Sequence, residues 1–381
     1  MFLRSLRLQN ILSFRELPPV KLEQLNILIG PHGSGKSNFL DCLDIFHSLP
    51  SNLNGFLVSH GGPEAWIWKG KAAGESIARL ECQFQLAKDP LEYGIAFDTG
   101  AGVLVIQREW LAPAKKSKQV VAPYLSRFAG KIEIRGRAVG DGATIARTES
   151  VLTAYRDPLD KTPITPTARA FSDIRVYRSF DTNPNGSLRT GVSAAASKYP
   201  LEGSGSNLAL VLQQMDFHGS LPRVRHYLNQ FSGRFQEIKI NLEGGRAQLY
   251  VEERALGKVS ATRLSDGTLK FLCLMALLFD HDPPRLLCID EPESGLHPDA
   301  IKLVADALRE ASSRTQIVVT THSDALVDWF TDEPESVVVC ERDFDEGTRL
   351  SRLSSVRLKE WLKDYTLGDL WRRGELGGKQ R

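Results

Sequence analysis

Residues Gly30-Pro31-His32-Gly33-Ser34-Gly35-Lys36-Ser37 spell G-x-x-x-x-G-K-[ST], and few eight-residue strings constrain a fold as tightly. The apolar run Leu25-Asn26-Ile27-Leu28-Ile29 precedes them and reads as a strand. Asn38-Phe39-Leu40-Asp41-Cys42-Leu43 follows and reads as a helix. A strand that turns into a helix through a glycine-rich loop aims backbone N–H groups at a phosphate chain. Lys36 adds a mobile cation for the outer phosphates, and Ser37 supplies a hydroxyl for Mg²⁺. The segment Gly30 to Asn38 is therefore expected to hold ATP, with Pro31, His32, Gly33 and Ser34 filling the four variable positions.

A second run, Leu286-Leu287-Cys288-Ile289, delivers Asp290 and Glu291 at its C-terminal end. In an open parallel sheet that end is where ligands bind. An aspartate there can support Mg²⁺, and the neighbouring acid can polarise water towards a phosphate. A third run, Gln316-Ile317-Val318-Val319-Thr320, ends at Thr321-His322-Ser323.

Composition fits a soluble globular chain: 381 residues, 42% hydrophobic, 25% charged, net charge +2. So small a net charge does not argue for nucleic acid by itself. The cysteines, Cys42, Cys82, Cys273, Cys288 and Cys340, are scattered, with no zinc or disulfide spacing. The longest apolar run, Phe271 to Phe279, is about half a membrane span. The N-terminus alternates like a strand and has no signal-peptide pattern. A cytoplasmic protein without a membrane segment is expected.

Period-2 patterns cover residues 1–86 apart from the helix after the loop, including Ile77 to Leu86. Residues 87–200 change character. Short β-like runs (Gly102 to Gln107, Lys131 to Ile134) lie among Pro-, Gly- and Lys-rich turns, with no heptad repeat to build a coiled-coil arm. Residues 111–190 hold 14 Lys+Arg against 7 Asp+Glu, a surplus of 14 − 7 = +7. A solvated face and a nucleic-acid surface both fit that surplus. From 201 the α/β rhythm returns: a helix over Thr268 to Phe279, the Leu286 to Asp290 strand, a helix over Asp299 to Ser312, and strands over Gln316 to Thr320 and Val337 to Cys340. The charged last 40 residues carry Trp361, Tyr365 and Trp371, three aromatics expected to dock rather than face solvent.

The order of phosphate loop, Arg263-Leu264-Ser265-Asp266-Gly267-Thr268, Asp290-Glu291 and His322 resembles that of ABC-type ATPase heads of the SMC and RecF kind. More closely, the chain resembles a bacterial group of "predicted ATPases" in the RecF/SMC-like, AAA-annotated superfamily. The landmarks are Gly205-Ser206-Asn207-Leu208, Leu264 to Gly267, Asp290 to Pro298, Thr320 to Ser323 and Trp361 to Tyr365. The resemblance implies an α/β fold: a P-loop NTPase head with an N-terminal antiparallel β-subdomain and a β-rich insertion. It implies halves at 1–86 and 201–345, an insertion at 87–200 and a packed tail at 346–381. It makes Glu291 and His322 catalytic, Ser37 and Asp290 the Mg²⁺ ligands, and His322 a γ-phosphate contact. Ser265, Asp266 and Gly267 would reach ATP held by a second copy, with Ser294 to His297 at the dimer seam. Asp266 departs from the commoner glycine; Ser265 alone also suits a helix N-cap. Gln83, Gln85 and Gln107 are each candidates for the glutamine such heads place near the γ-phosphate.

The reading is thus a Mg²⁺-dependent ATPase whose ATP-sandwiched homodimer acts as a switch or clamp, in DNA-related processes or anti-phage defence. The alternative is an ATPase regulating a separately encoded nuclease or toxin effector; a transporter subunit ranks below both. With about 60 residues after His322, a built-in Toprim nuclease is not expected.

Overall fold

The structure is a computed structural model and describes the chain apart from residues 71–75, 88, 101, 115–121, 139–144, 156–158, 160, 344 and 378–381. Alternation and apolar runs produce the strands that the sequence called for. Leu286–Asp290 and Gln316–Thr320 form with the anticipated bounds, and Leu3–Ile11, Phe14–Lys21 and Leu25–Ile29 precede the loop. Among the described residues, fourteen strands make one sheet. At one end Ile174–Tyr177, Leu286–Asp290, Gln316–Thr320, Leu25–Ile29 and Val337–Asp343 run parallel. From there the sheet continues antiparallel through Gly347–Arg352, Phe14–Lys21, Leu3–Ile11, Ala78–Gln85, Pro90–Gly100 and Val103–Pro113 to three short strands between Leu125 and Ala138.

The inner parallel strands are buried on both faces, and alternation divides the parallel strands between two cores. Ile27, Ile29, Ile289 and Val319 face one cluster, packed by helices Leu208–Phe217, Leu221–Phe231, Asp266–Leu278 and Ile301–Ala311. Leu28, Cys288, Val318 and Val338 face the other, packed by helices Lys36–Ser48 and Ile164–Ser172. That double burial is why these strands read as continuous apolar runs. A second, smaller sheet (Val192–Ser193, Phe235–Glu243, Arg246–Glu253, Gly257–Ser260) sits against the first cluster.

Several elements differ from expectation. The stretch 1–86 also contains helix Leu53–Ser59 and a 3₁₀ turn at Pro63–Trp66. The sheet runs through residue 86 without interruption, because Ala78–Gln85 pairs with Pro90–Gly100 along its whole length. The middle stretch is not all insertion: Ile174–Tyr177 is the edge strand beside Leu286–Asp290. In the tail, Tyr365 and Trp371 pack on the core, but Trp361 is 46% exposed. It sits on a single 3₁₀ turn (Trp361–Lys363) that offers no face to bury. The longest described helices have 13 residues, and none is long and apolar enough to cross a membrane. All five cysteines are buried thiols.

Candidate active site

The phosphate loop leaves strand Leu25–Ile29 at Gly30, whose φ of 149° only glycine adopts readily. A Cβ there would collide with the carbonyl of Cys340 on the adjacent strand. Gly35, at φ 99°, is pressed against Thr348 and Ser13. Thr348 donates to the Ser34 carbonyl (2.9 Å), which anchors the loop from the antiparallel side. Helix Lys36–Ser48 starts directly after Gly35, placing Ser37 and Asn38 in its first turn. Lys36 is 4% exposed; its ammonium donates to the carbonyls of Gly30 (2.8 Å) and Pro31 (3.0 Å). Burial lowers its pKa from the usual lysine value, against the pull of Glu291, Asp290 and Glu293. The cation is thus held inside the loop by backbone carbonyls.

Parallel register brings the remaining pieces together. Asp290 is level with Thr320, whose hydroxyl donates to Asp290 Oδ1. The Ser37 hydroxyl lies 3.4 Å from Asp290 Oδ2. A hydroxyl and a carboxylate oxygen from two elements are the hard donors Mg²⁺ takes when phosphates and waters complete its shell. The residues present therefore fit Mg²⁺–ATP: Ser37 and Asp290 would hold the ion, and Gly30 to Asn38 the phosphates. Glu291 turns off the strand at φ 47°, and its N–H donates to the Thr320 carbonyl (3.1 Å). This aims its carboxylate at His322, Oε1 to Nε2 3.5 Å. His322 stacks on His32 of the loop, ring centroids 4.0 Å apart. Burial, reinforced by the Lys36 and His32 charges, lowers the His322 pKa to about 4.

Glu293 entered the sequence reading only as part of a longer landmark, yet it shapes the site. Its Oε1 accepts from the Thr321 hydroxyl and from the His322 N–H (3.3 Å), fixing the backbone that carries the histidine. Its other oxygen is buried with no hydrogen-bond partner among the described residues, and burial raises its pKa. Its place two residues past Glu291 was the available signal.

The signature residues lie elsewhere in the chain. Ser265 caps helix Asp266–Leu278, accepting from Thr268 N–H (3.2 Å). Asp266 pairs with Arg189, which also donates to the Leu264 carbonyl (2.7 Å). That partner accounts for an aspartate at this position. Gly267 abuts the Gly295 carbonyl, so signature and seam loop adjoin. No hydrogen bond or ion pair among the described residues joins Ser265, Asp266 or Gly267 to residues 30–38.

None of the three glutamines reaches the nucleotide end. Gln83 and Gln85 pair with Ser5 and Phe2, near Gln316 at the opposite end of the parallel strands. Gln107 is bound to Asp98 in the antiparallel sheet. Just past the edge strand, whose Tyr177 is level with Ile289, Arg178 donates to Asp41 (2.6 Å) and Asp44 (3.0 Å) on the loop helix. Part of the basic surplus of 111–190 is taken up inside the fold. Arg127 is buried, Arg178 and Arg189 are paired internally, and Lys115, Lys116, Lys118 and Arg156 lie outside the described residues.

Comparison with known proteins agrees with this geometry. Residues 172–328 match a family described as "AAA domain, putative AbiEii toxin, Type IV TA system". A Helicobacter pylori protein named "ATP/GTP phosphatase" is 22% identical over 377 residues, covering 91% of each chain. An Smc head solved with the C-terminal winged-helix domain of ScpA covers 94% of this chain and is itself covered completely, at TM-score 0.62 and 13% identity. An Smc head with an extended coiled coil, solved with the C-terminal domain of ScpA from Pyrococcus furiosus, covers 95% of this chain and is 99% covered, at TM-score 0.60 and 12% identity. These two share the fold. With the AAA match over residues 172–328, which bear Asp290 and His322, and the phosphate loop upstream of it, the chain is an ATPase with the fold of SMC heads.

Proposed function

We propose that the protein hydrolyses ATP with Mg²⁺ in a head-to-tail homodimer, and that this ATP-closed dimer is a switch or clamp in DNA-related processes or phage defence. The observation that carries the reading is the division of the site. Phosphate loop, Asp290, Glu291 and His322 converge, while Ser265 and Gly267 stand apart beside the seam loop. Mg²⁺ would offset phosphate charge. Lys36 would leave its loop carbonyls for the outer phosphates, Glu291 would orient and deprotonate the attacking water, and His322 would meet the γ-phosphate. A second copy would supply Ser265 and the N–H groups at its helix N-terminus.

Glu291→Gln removes the base and leaves the phosphate contacts intact. ATP binding should persist, turnover should fall by about two orders of magnitude or more, and an ATP-dependent dimer should accumulate in light scattering. Turnover at the wild-type rate would sink the assignment. The matched family's mention of a toxin–antitoxin system favours a second reading, in which this ATPase governs a separately encoded effector. Turnover measured with duplex DNA, single-stranded DNA, RNA and the product of a neighbouring gene separates the two. Stimulation only by the protein favours the effector.

A further inference from the structure

The tail carries a motif that the ATPase reading leaves unused. Helix Leu367–Arg372 is closed by a capping box between Thr366 and Asp369. It lies on helix Asp324–Asp328, which begins two residues after His322 with Ser323 as its N-cap. Arg372 pairs with Asp324 (2.6 Å). The N–H of Gly368 donates to Asp328 (2.7 Å), and that of Leu367 to the Thr331 hydroxyl (3.1 Å). Leu367 and Leu370 are fully buried beneath. At Gly368 the backbones approach so closely that a Cβ would stand 2.6 Å from the Asp324 carbonyl and nearer still to the Asp328 carboxylate.

A five-residue helix cannot hold itself in water, since its few internal bonds do not repay nucleation. Its geometry depends on what docks against it. On its strand side, His322 is fixed by Glu293 through Thr321. On the other side, both ends of the short helix are held by the tail.

We propose that the tail helix is a positioning element for His322: by docking on Asp324–Asp328 it sets where the imidazole meets the γ-phosphate. This rests on the catalytic reading of His322. Among the described residues, the hydrogen bonds and ion pairs of Gly368 and Arg372 go to Asp324, Asp328 and Asp369 and none to the phosphate loop, so on this proposal they act through the histidine. A change in the tail then alters the chemical step and not nucleotide binding.

Three variants test this on the full chain: Gly368→Val, Arg372→Asp, and the exchange Asp324→Arg with Arg372→Asp. Gly368→Val and Arg372→Asp should lower kcat about ten-fold, with KM for ATP nearly unchanged, as a small misplacement of a catalytic group does. Without nucleotide, amide exchange over 322–328 should rise in both single variants and return towards wild type in the exchanged pair. In a His322→Ala background, Gly368→Val should cost nothing further. Losses that add to His322→Ala, or a KM that rises as kcat falls, overturn the proposal. If His322→Ala itself turns over ATP normally, the catalytic reading fails and the latch with it. Additive losses beside an impaired His322→Ala sink the latch alone.

Discussion

Glu291 adopts a left-handed backbone, φ 47°, at a cost of about 1–2 kcal/mol for a residue with a Cβ. The strain lets one strand end present two acids in different directions, Asp290 to Ser37 and Glu291 to His322. The same crowding governs His322. With its pKa lowered to about 4, the ring is neutral at pH 7. Its contribution to stability is flat above the unfolded value near 6.5 and becomes adverse as pH falls from there towards 4, because only the unfolded chain takes up the proton. Bound triphosphate reverses the local field: anionic oxygens favour the imidazolium and engage Lys36. Titration of the His322 ring by NMR should therefore give a pKa near 4 without nucleotide and a clearly higher one with Mg²⁺ and a non-hydrolysable ATP analogue. An unshifted pKa near 6.5 in both states would contradict the stacked, buried arrangement. Which residues would be found at this scale followed from how local their signal was. Lys36, Ser37, Asp290 and Glu291 stand in short contiguous motifs. Thr320, Glu293 and Arg178 matter only through partners up to 137 positions distant, and no spacing rule encodes those.

Elements divide in the same way. The inner parallel strands were legible because burial on both faces leaves unbroken apolar runs. Ile174–Tyr177 was not: it is four residues long, and its neighbour is over 100 residues downstream. Pro90–Gly100 was hidden by Pro90, Gly94 and Ala96, poor strand formers by composition. Gly94 is there because the Trp110 indole on the next strand occupies the space of its Cβ. The neighbouring strand Val103–Pro113 holds Glu109, which is fully buried. It accepts from the Tyr93 hydroxyl (2.9 Å), the Ser150 hydroxyl (2.7 Å) and the Val151 N–H (2.9 Å), with Arg127 4.0 Å away. That network ties the 145–154 segment, including helix Val151–Ala154, to the sheet. Glu109→Ala would strand three donors and a guanidinium, and should cost about 3–5 kcal/mol. Glu109→Gln keeps an acceptor and should cost less. The thermal midpoint decides: equal midpoints for the two variants would show that packing alone holds the segment. Neither should change the KM for ATP, since the network lies in the antiparallel sheet.

At the scale of the whole molecule, fold class and the presence of an ATP site were legible, whereas the connection between the site's parts was not. Arg189 ties the signature to a segment that begins at Arg178, and Arg178 grips the helix of the phosphate loop. Ser265 therefore has a fixed place in its own chain and, among the described residues, no hydrogen bond to its own loop. The proposed head-to-tail pair would complete two sites at once, each with the loop of one copy and the signature of the other. Glu291→Gln disables a chain's own loop site but leaves its signature intact. Ser265→Ala does the converse, and removing the cap should also cost about 1 kcal/mol of stability. Mixed before ATP is added, the two variants form hybrid dimers in which one site of two is whole. Random pairing makes half the dimers hybrid, so an equal mixture should recover roughly a quarter of wild-type turnover from two inactive proteins. A mixture no more active than its components would mean that Ser265 does not act in trans. It would be left as the helix cap it already is, and the division of the site would need a different partner.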